Sequence, residues 1–156
     1  MRGSFEGGEV VGGELLTELT EVENIMALGP VAQIHISVTD LDRSVAFYRD
    51  VLGMSLQFVV PGQPMAFFAS GDVRLYLGVP ESPEFRTHTV IYYSVGDIDA
   101  EYARLTALGV EFEGEPHVVH REPSGELWMT FLEDPDGHKV VLMQQRVAGS
   151  GAVRSD

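Results

Sequence analysis

The chain has 156 residues, a formal net charge of −14 and no cysteine. This length suits one compact domain, or two small units that share a core. The acidity argues against nucleic acid and anionic membranes as partners, because binding to phosphates needs clustered Lys and Arg. Disulfides and thiolate metal ligands are excluded. We expect a cytoplasmic protein, since the sequence shows neither an apolar span of about 20 residues nor a signal-peptide pattern.

Residues 1–29 are predicted to form an acidic extension that differs from the rest of the chain. Several glycines come first, and then apolar residues such as Leu15, Leu19 and Val22 follow at helical spacing. This pattern favours either a short amphipathic helix, which docks on the body or on a second subunit, or a mobile extension. Met26 is also a plausible alternative start.

The first module, residues 30–87, begins with an alternating segment. Ile34 and Ile36 alternate with Gln33, His35 and Ser37. Such alternation predicts a strand with one face on apolar packing and the other on a polar environment.

A helix and three more strands are predicted in the rest of this module. Asp40 is suited to cap the helix and Gly53 to end it. Turn residues then separate strands predicted at 54–60, 65–70 and 73–77.

The second module, residues 88–147, repeats the first. Val-Gly-Asp-Ile-Asp at 95–99 matches Val-Thr-Asp-Leu-Asp at 38–42. An internal repeat of this kind predicts two copies of one βαβββ unit. After its helix, strands are predicted at 110–120, 126–132 and 138–144. Residues 79–87 are interpreted as a linker, and residues 148–156 as a flexible tail.

The ordered set of motifs resembles the vicinal oxygen chelate superfamily, which includes glyoxalase I, bleomycin-resistance proteins and extradiol dioxygenases. The resemblance covers residues 31–145 and rests on both βαβββ units and on the following motifs: Asp40-Leu41-Asp42, Phe47-Tyr48, Leu52-Gly53 and Asp134-Pro135-Asp136-Gly137. It implies an α+β fold in which two βαβββ modules form a curled mixed sheet around a shared cleft. It does not imply a reaction, because one fold hosts many.

Metal-dependent members of this superfamily draw their ligands from the first and fourth strands of each module. The positions that correspond to these ligands are Gln33, Val90, Val141 and either Tyr76 or Arg74. Valine has no donor atom, and glutamine is a poor ligand for a transition metal. We therefore expect no metal at the usual site and no cofactor. The alternative is a divalent metal such as Zn, Ni, Mn or Fe at a displaced site that uses His35 or His88.

A mixture of polar and apolar side chains on the strands is expected to line the cleft, as is typical of small-molecule pockets. The residues predicted to bind a ligand are Gln33, His35, Arg74, Tyr76, Tyr92, Trp128 and Met143. Alternatively, some of these side chains only fill the space between sheets.

Residues 117–128 are predicted to form a hairpin. Its alternation suggests that Glu126 and Trp128 face the cleft, with His117 on the same face if the register is even. A shift of one residue would replace His117 by His120. Because a carboxylate can hold a histidine in one tautomer, His117 and Glu126 are the predicted catalytic pair. The alternative is an exposed hairpin salt bridge beside a packed tryptophan.

The resemblance and the metal positions favour a protein that binds a small organic molecule between its modules without metal, similar to bleomycin-resistance proteins. The alternative is a divalent-metal-dependent lyase or isomerase, similar to glyoxalase I or the epimerases. A dioxygenase fits less well, because its iron needs two histidines and a carboxylate. A third possibility is an interaction module that uses the N-terminal helix. Members of this superfamily often dimerise, so we expect a homodimer, with a small molecule rather than nucleic acid or membrane as its ligand.

Overall fold

The structure is a computed structural model and describes residues 27–149. It divides the chain into two compact units, residues 1–32 and 33–156. In the first unit, residues 27–32 form neither helix nor strand, and Leu28 and Val31 are exposed. The predicted N-terminal helix and most of the predicted tail lie outside the described residues. Within residues 27–149, no helix has the length and apolar character needed to cross a membrane.

The described part of the second unit contains two successive βαβββ modules, which confirms the predicted α+β fold. The first module consists of β1 Gln33–Ser37, α1 Leu41–Ala46, a π-helical turn Phe47–Val51, β2 Ser55–Val59, β3 Met65–Ser70 and β4 Val73–Gly78. A 3₁₀ turn, Pro83–Phe85, lies between the modules. The second module consists of β5 Val90–Ser94, α2 Ile98–Ala107, β6 His117–Glu122, β7 Gly125–Glu133 and β8 Lys139–Val147.

The two sheets have the same topology. Their strand orders are β1-β4-β3-β2 and β5-β8-β7-β6. In each sheet the first and last strands of the module pair in parallel, and the other pairs are antiparallel. The repeat found in the sequence is therefore a repeat of the whole sheet.

Both helices begin with the same side-chain cap, as predicted for the first. The Asp40 carboxylate accepts a hydrogen bond from the Arg43 amide at 3.1 Å, and that of Asp97 from the Ala100 amide at 3.0 Å. Each cap satisfies an amide that has no partner within its helix. The helical segment formed by α1 and the π-helical turn is followed by Gly53, where φ is +76°, a conformation that glycine adopts without steric cost.

Each sheet packs one face against its helix. Ile36, Val45 and Phe68 belong to the core of the first module, and Ile98 and Leu142 to that of the second. Three further side chains touch both clusters: Phe47, Leu52 and Tyr93. The two modules therefore share a continuous apolar interior.

The motifs that carry the resemblance join the modules to each other. The Tyr48 hydroxyl, which is buried, donates to the Asp134 carboxylate at 2.8 Å. The other Asp134 oxygen accepts from the amides of Asp136 and His138, both at 2.9 Å. Asp136 in turn accepts from the amide and hydroxyl of Thr39. Burial and the nearby Asp134 carboxylate raise the pKa of Tyr48, so the phenol stays protonated as the donor.

A second polar link between the modules passes through buried His138. Its Nδ1 accepts from the Thr89 amide at 3.0 Å, because an amide can only donate. Its Nε2 lies 2.6 Å from the Ser37 carbonyl oxygen and donates to it. This pattern needs the neutral tautomer with its proton on Nε2.

One predicted strand is shorter than expected. The strand predicted from residue 110 begins at His117, and before it only Phe112 forms a bridge, to Leu132. Phe112 packs instead against the second core cluster and the Tyr102 ring.

Candidate functional site

The face of the first sheet that points away from α1 carries polar and aromatic side chains, and we call it the first open face. Strand pairing sets Gln33 opposite Arg74 and His35 opposite Tyr76. Tyr76 in turn lies opposite Phe67. Predicted ligand-binding residues from β1 and β4 are thus brought together on one surface.

Four rings cross this face in a row, one from each strand. The ring centroids are 4.6 Å apart for His35 and Tyr76, 5.1 Å for Tyr76 and Phe67, and 4.8 Å for Phe67 and Phe58. These distances match the spacing of about 4.8 Å between neighbouring strands. The rings of Tyr76, Phe67 and Phe58 therefore stack on one another. We call the four rings the aromatic row.

Glycine at position 78 makes room for the Tyr76 ring. A Cβ atom at Gly78 would lie 2.6 Å from the Tyr76 hydroxyl oxygen and 2.7 Å from two ring carbons. The ring therefore leans along β4 over the glycine, towards the end of the strand.

Beside the His35 and Tyr76 rings lies a pocket of about 520 Å³, which we call the first-module pocket. Gln33, His35 and Tyr76 line it from the sheet. The remaining lining residues come from the β2–β3 turn and from the segment after β4: Gln63, Pro64, Met65, Val79, Pro80, Glu81 and Phe85. A mostly apolar wall with a few polar groups is typical of a site for a small organic molecule.

The segment after β4 is held at both ends, so it forms a fixed wall of this pocket. At one end the Val79 amide donates to the Pro64 carbonyl at 3.1 Å. At the other end the Thr87 amide donates to the Ser37 hydroxyl at 2.8 Å, and the Ser37 amide to the Thr87 hydroxyl at 2.9 Å. Glu81 and Phe85 were not among the predicted ligand-binding residues, because the segment was interpreted only as a linker.

His35 is a neutral, incompletely bonded group in the wall of the pocket. Burial lowers its pKa, and nearby backbone groups of Phe85 and Tyr76 only partly oppose this effect. Its Nδ1 is buried and has no hydrogen-bond partner within residues 27–149. A neutral imidazole can accept a proton or a hydrogen bond from a bound molecule.

The corresponding surface of the second sheet, the second open face, has a different chemistry. Tyr92 and Met143 lie on it, and Tyr92 is 52% exposed. Lys139 is on the same face and is paired with both Glu113 and Glu133. Hydrogen bonds to these two carboxylates raise the pKa of Lys139. Neither Tyr92 nor Met143 lines the first-module pocket.

The expectation that His117 shares a face with Glu126 and Trp128 is wrong. His117 lies opposite Met129 in the β6–β7 pair, whereas Trp128 packs against the second core cluster on the helix side. Because residues alternate along a strand, Glu126 shares the helix side with Trp128. The face of β7 that carries Glu126 and Trp128 therefore points to the helix and not to the cleft, because the Trp128 ring packs in the core.

A bulge in β6 determines which face of the sheet carries His120, the histidine predicted as the alternative to His117. The register shifts between Val118 and His120, and His120 then lies opposite Leu127. His120 therefore lies on the same open face as His117.

Glu126 is engaged in surface contacts on the helix side. It accepts a hydrogen bond from Arg121 at 2.8 Å, and this bond lowers the pKa of the carboxyl. The Arg146 guanidinium lies 4.2 Å from the centre of the Trp128 ring. The hairpin therefore combines an exposed ion pair with a packed tryptophan, and the catalytic roles of His117 and Glu126 stay untested predictions.

Strand pairing settles which residue of β4 occupies the fourth metal position. Val141 lies opposite Tyr92, and Tyr76 lies opposite His35, two residues after Val90 and Gln33 respectively. Tyr76, rather than Arg74, thus corresponds to Val141.

The residues at the four metal positions do not fit a divalent ion. Gln33, Tyr76, Val90 and Val141 supply no carboxylate and no imidazole, and the two valines have no donor atom. Among residues 27–149, no group of three or more His, Asp or Glu side chains is arranged to hold a metal.

Comparisons with known proteins agree with this architecture. The model of the glyoxalase/bleomycin resistance protein/dioxygenase superfamily matches residues 30–142. A probable lactoylglutathione lyase of Vibrio cholerae is 30% identical over 73% of this chain and 89% of its own length. A metallothiol transferase of Staphylococcus epidermidis is 30% identical over 72% of this chain and 81% of its own length.

Solved structures include both an enzyme and a binding protein. Lactoylglutathione lyase from Agrobacterium tumefaciens superposes with a TM-score of 0.59 at 26% identity, covering 76% of this chain and 95% of that one. TnmS3, an antibiotic-binding protein from a Streptomyces species, gives a TM-score of 0.61 at 27% identity, covering 77% of this chain and 98% of that one. The chain described here belongs to the glyoxalase/bleomycin resistance protein/dioxygenase superfamily.

Proposed function

We propose that the protein binds a small organic molecule in the first-module pocket and does so without a metal ion. The observation that carries this proposal is the convergence of Gln33, His35 and Tyr76 on one pocket of about 520 Å³. These three side chains offer an amide, a neutral imidazole and a phenol, which can orient a ligand by hydrogen bonds. The similarity to an antibiotic-binding protein supports a binding role.

The donor set supports the metal-free part of the proposal. A divalent ion at the position used by the superfamily would have two aliphatic neighbours, Val90 and Val141, in place of ligands. Hydrogen bonds and stacking then remain as the means of recognition. A cytoplasmic location and the absence of a nucleic-acid partner stay part of this proposal, on the grounds of composition and charge.

We also propose that two copies of the chain form a homodimer through their open faces. Val90 and Tyr92 are 49% and 52% exposed on the second open face, and Phe58 is 47% exposed on the first. A second copy laid on these faces would remove this apolar surface from water and would narrow the opening of the pocket. In that arrangement Tyr92, which does not line the pocket of its own chain, would reach the ligand of the partner.

Sedimentation equilibrium tests the homodimer. We expect a dimer mass for the wild type and a monomer mass for Tyr92→Glu, because a carboxylate placed on an apolar contact is costly to bury. A monomer mass for the wild type at micromolar concentration would contradict the proposal.

Metal content tests the metal-free claim. Protein purified without a histidine tag or chelator is analysed by mass spectrometry before and after titration with Zn, Ni, Mn and Fe. We expect less than about 0.1 ion per chain, as for a site without ligands. Near-stoichiometric metal would contradict the claim and would favour a displaced site.

A lyase or isomerase activity is the second candidate, and one observation favours it. His35 lines the pocket, and burial lowers its pKa, so a neutral imidazole in the pocket wall can serve as a general base. Relatives named lactoylglutathione lyase make a proton transfer next to a carbonyl the reaction to try. Turnover of a hemithioacetal that is lost in His35→Gln would support this candidate.

A further inference from the structure

We propose that the first-module pocket selects an organic cation, and that Glu81 is the residue that determines this selectivity. The inference rests on the proposed function, since it assigns the ligand class of the same pocket. In the bound state, a protonated nitrogen lies against the Glu81 carboxylate, and the apolar body of the ligand packs between the Phe85 and Tyr76 rings.

Among residues 27–149, Glu81 is the single charged residue that lines the pocket. Its carboxylate forms neither a salt bridge nor a hydrogen bond with any of residues 27–149. Other carboxylates near the open faces differ in this respect, because Glu113 and Glu133 are both paired with Lys139. An unpaired carboxylate at the edge of a largely apolar pocket is a ready partner for a ligand cation.

The segment that carries Glu81 is hydrogen-bonded to the body of the module at both ends. These are the Val79–Pro64 and Thr87–Ser37 hydrogen bonds. A ligand therefore does not have to order this segment before it binds, which reduces the entropic cost of binding.

Neither His35 nor Arg74 opposes this assignment. Burial lowers the pKa of His35, so its imidazole is neutral near neutral pH. The guanidinium of Arg74 lies over the Phe67 ring, at 5.6 Å from its centre, and Arg74 does not line the pocket. The aromatic faces of Phe85 and Tyr76 add a weak attraction for a cation. The formal net charge of −14 raises the local concentration of cations around the whole chain.

The test compares three ligands with the same ring system and different charges. The probes are 9-aminoacridine, which is cationic, acridine, which is neutral, and acridine-9-carboxylate, which is anionic. Each is titrated by fluorescence at pH 7.5 into the full-length wild type and into Glu81→Gln. Glu84→Gln is the matched control, because it removes the same charge from the same segment at a residue that does not line the pocket. Tyr76→Val, in the pocket wall, tests the site itself.

We expect the wild type to bind the probes in the order cation, neutral, anion. Glu81→Gln should weaken 9-aminoacridine about fivefold more than it weakens acridine, as for a partly exposed ion pair. Glu84→Gln should leave the preference for the cation unchanged. Sodium chloride at 0.5 M should remove most of the preference in the wild type, because the charges lie near the surface.

The outcomes separate this inference from the proposed function. Equal effects of Glu81→Gln and Glu84→Gln would assign the preference to the overall field and overturn the role of Glu81. Acridine binding that Tyr76→Val weakens, without any preference among the three charges, would keep the pocket as the binding site and overturn its selectivity for cations. No binding of any of the three probes would overturn both.

Discussion

The two open faces show how one backbone can carry two different surfaces. In the first module, Gln33, His35 and Tyr76 present hydrogen-bonding groups to a pocket. In the second, the corresponding positions are Val90, Tyr92 and Val141. The helix caps, strand order and pairing are the same in both. The duplicated fold is thus a common frame, and the proposed recognition of a ligand depends on a few side chains on the first face.

The charged side chains of the two open faces also differ. Lys139 of the second face is neutralised by Glu113 and Glu133, while the corresponding Arg74 of the first face lies over an aromatic ring. The second face satisfies its own charges, and the first pocket keeps an unpaired carboxylate at Glu81. This unpaired carboxylate is the feature on which the proposed preference for a cationic ligand rests.

The largest expected effect is on stability, and it comes from removing the hydrogen bonds of Asp134 that join the two modules. Asp134→Ala removes a buried acceptor of three hydrogen bonds, from Tyr48 and from the Asp136 and His138 amides. We expect the free energy of unfolding to fall by about 3 kcal/mol, since buried donors lose their partners. Urea denaturation measures this change.

Asp72→Ala is the control for that variant, because Asp72 lies in the exposed turn between β3 and β4. It should change the free energy of unfolding by less than about 0.5 kcal/mol. A loss below about 1 kcal/mol in Asp134→Ala would mean that the motif does not join the modules.

The second largest effect is expected from a substitution that makes the first open face resemble the second open face. Tyr76→Val installs the side chain that stands at the corresponding position 141, and it removes the central hydrogen-bonding ring of the pocket. We expect the affinity for acridine to fall about tenfold or more, equivalent to about 1.4 kcal/mol. Tyr102→Val makes the same change on α2, outside the pocket, and should leave the affinity unchanged. Equal affinities of Tyr76→Val and wild type would remove the distinction between the faces.

A smaller effect on affinity is expected from a change at Gly78, which lies two residues after Tyr76 in β4. Met143 of the second face corresponds to Gly78, where a Cβ atom would collide with the Tyr76 ring. Gly78→Ala should displace the ring, weaken acridine about threefold and lower stability by about 1 kcal/mol. Gly114→Ala is the control, because a Cβ atom there meets nothing within 4 Å. An unchanged affinity in Gly78→Ala would show that the position of the ring does not matter for binding.

The smallest effect is a pH dependence that belongs to the first face. Burial lowers the pKa of His35 below its unfolded value of about 6.5, so the unfolded chain binds a proton that the folded chain does not. The free energy of unfolding therefore decreases as the pH falls through about 6.5, because the unfolded chain takes up this proton first. We expect His35→Leu to show a shallower decline of Tm between pH 7.5 and 5.5 than the wild type.

His120→Leu is the control for the loss of a histidine, because His120 lies on the exposed edge strand β6. It should keep the slope of the wild type. A wild-type slope in His35→Leu would contradict the assignment of a lowered pKa to His35.

Local patterns were sufficient to predict the frame and part of the pocket. Alternation in β1 placed Gln33 and His35 on the open face, and the turn at 134–137 was visible from its residues. The wall formed by Glu81 and Phe85 was not predictable in this way. It is positioned by hydrogen bonds between Ser37 and Thr87, which are 50 residues apart, and no local pattern records them.

The β6–β7 hairpin was predicted with the wrong face for a physical reason. Polar and apolar residues alternate in β7, but the helix side is filled by Trp128 and Thr130 rather than by the apolar set. Thr130 satisfies its hydroxyl on the Gly114 carbonyl at 2.8 Å, so a polar side chain can be buried there. Alternation alone cannot indicate which of the two faces is buried when such a bond is available.

The most direct test of the central claim is a map of the ligand by NMR. Amide ¹H–¹⁵N spectra of the wild type are recorded during titration with 9-aminoacridine. We predict the largest shift changes at Gln33, His35, Tyr76, Glu81 and Phe85, which surround the first-module pocket. Changes confined to β5 and β8, with these five amides unaffected, would contradict the claim that recognition depends on the first open face.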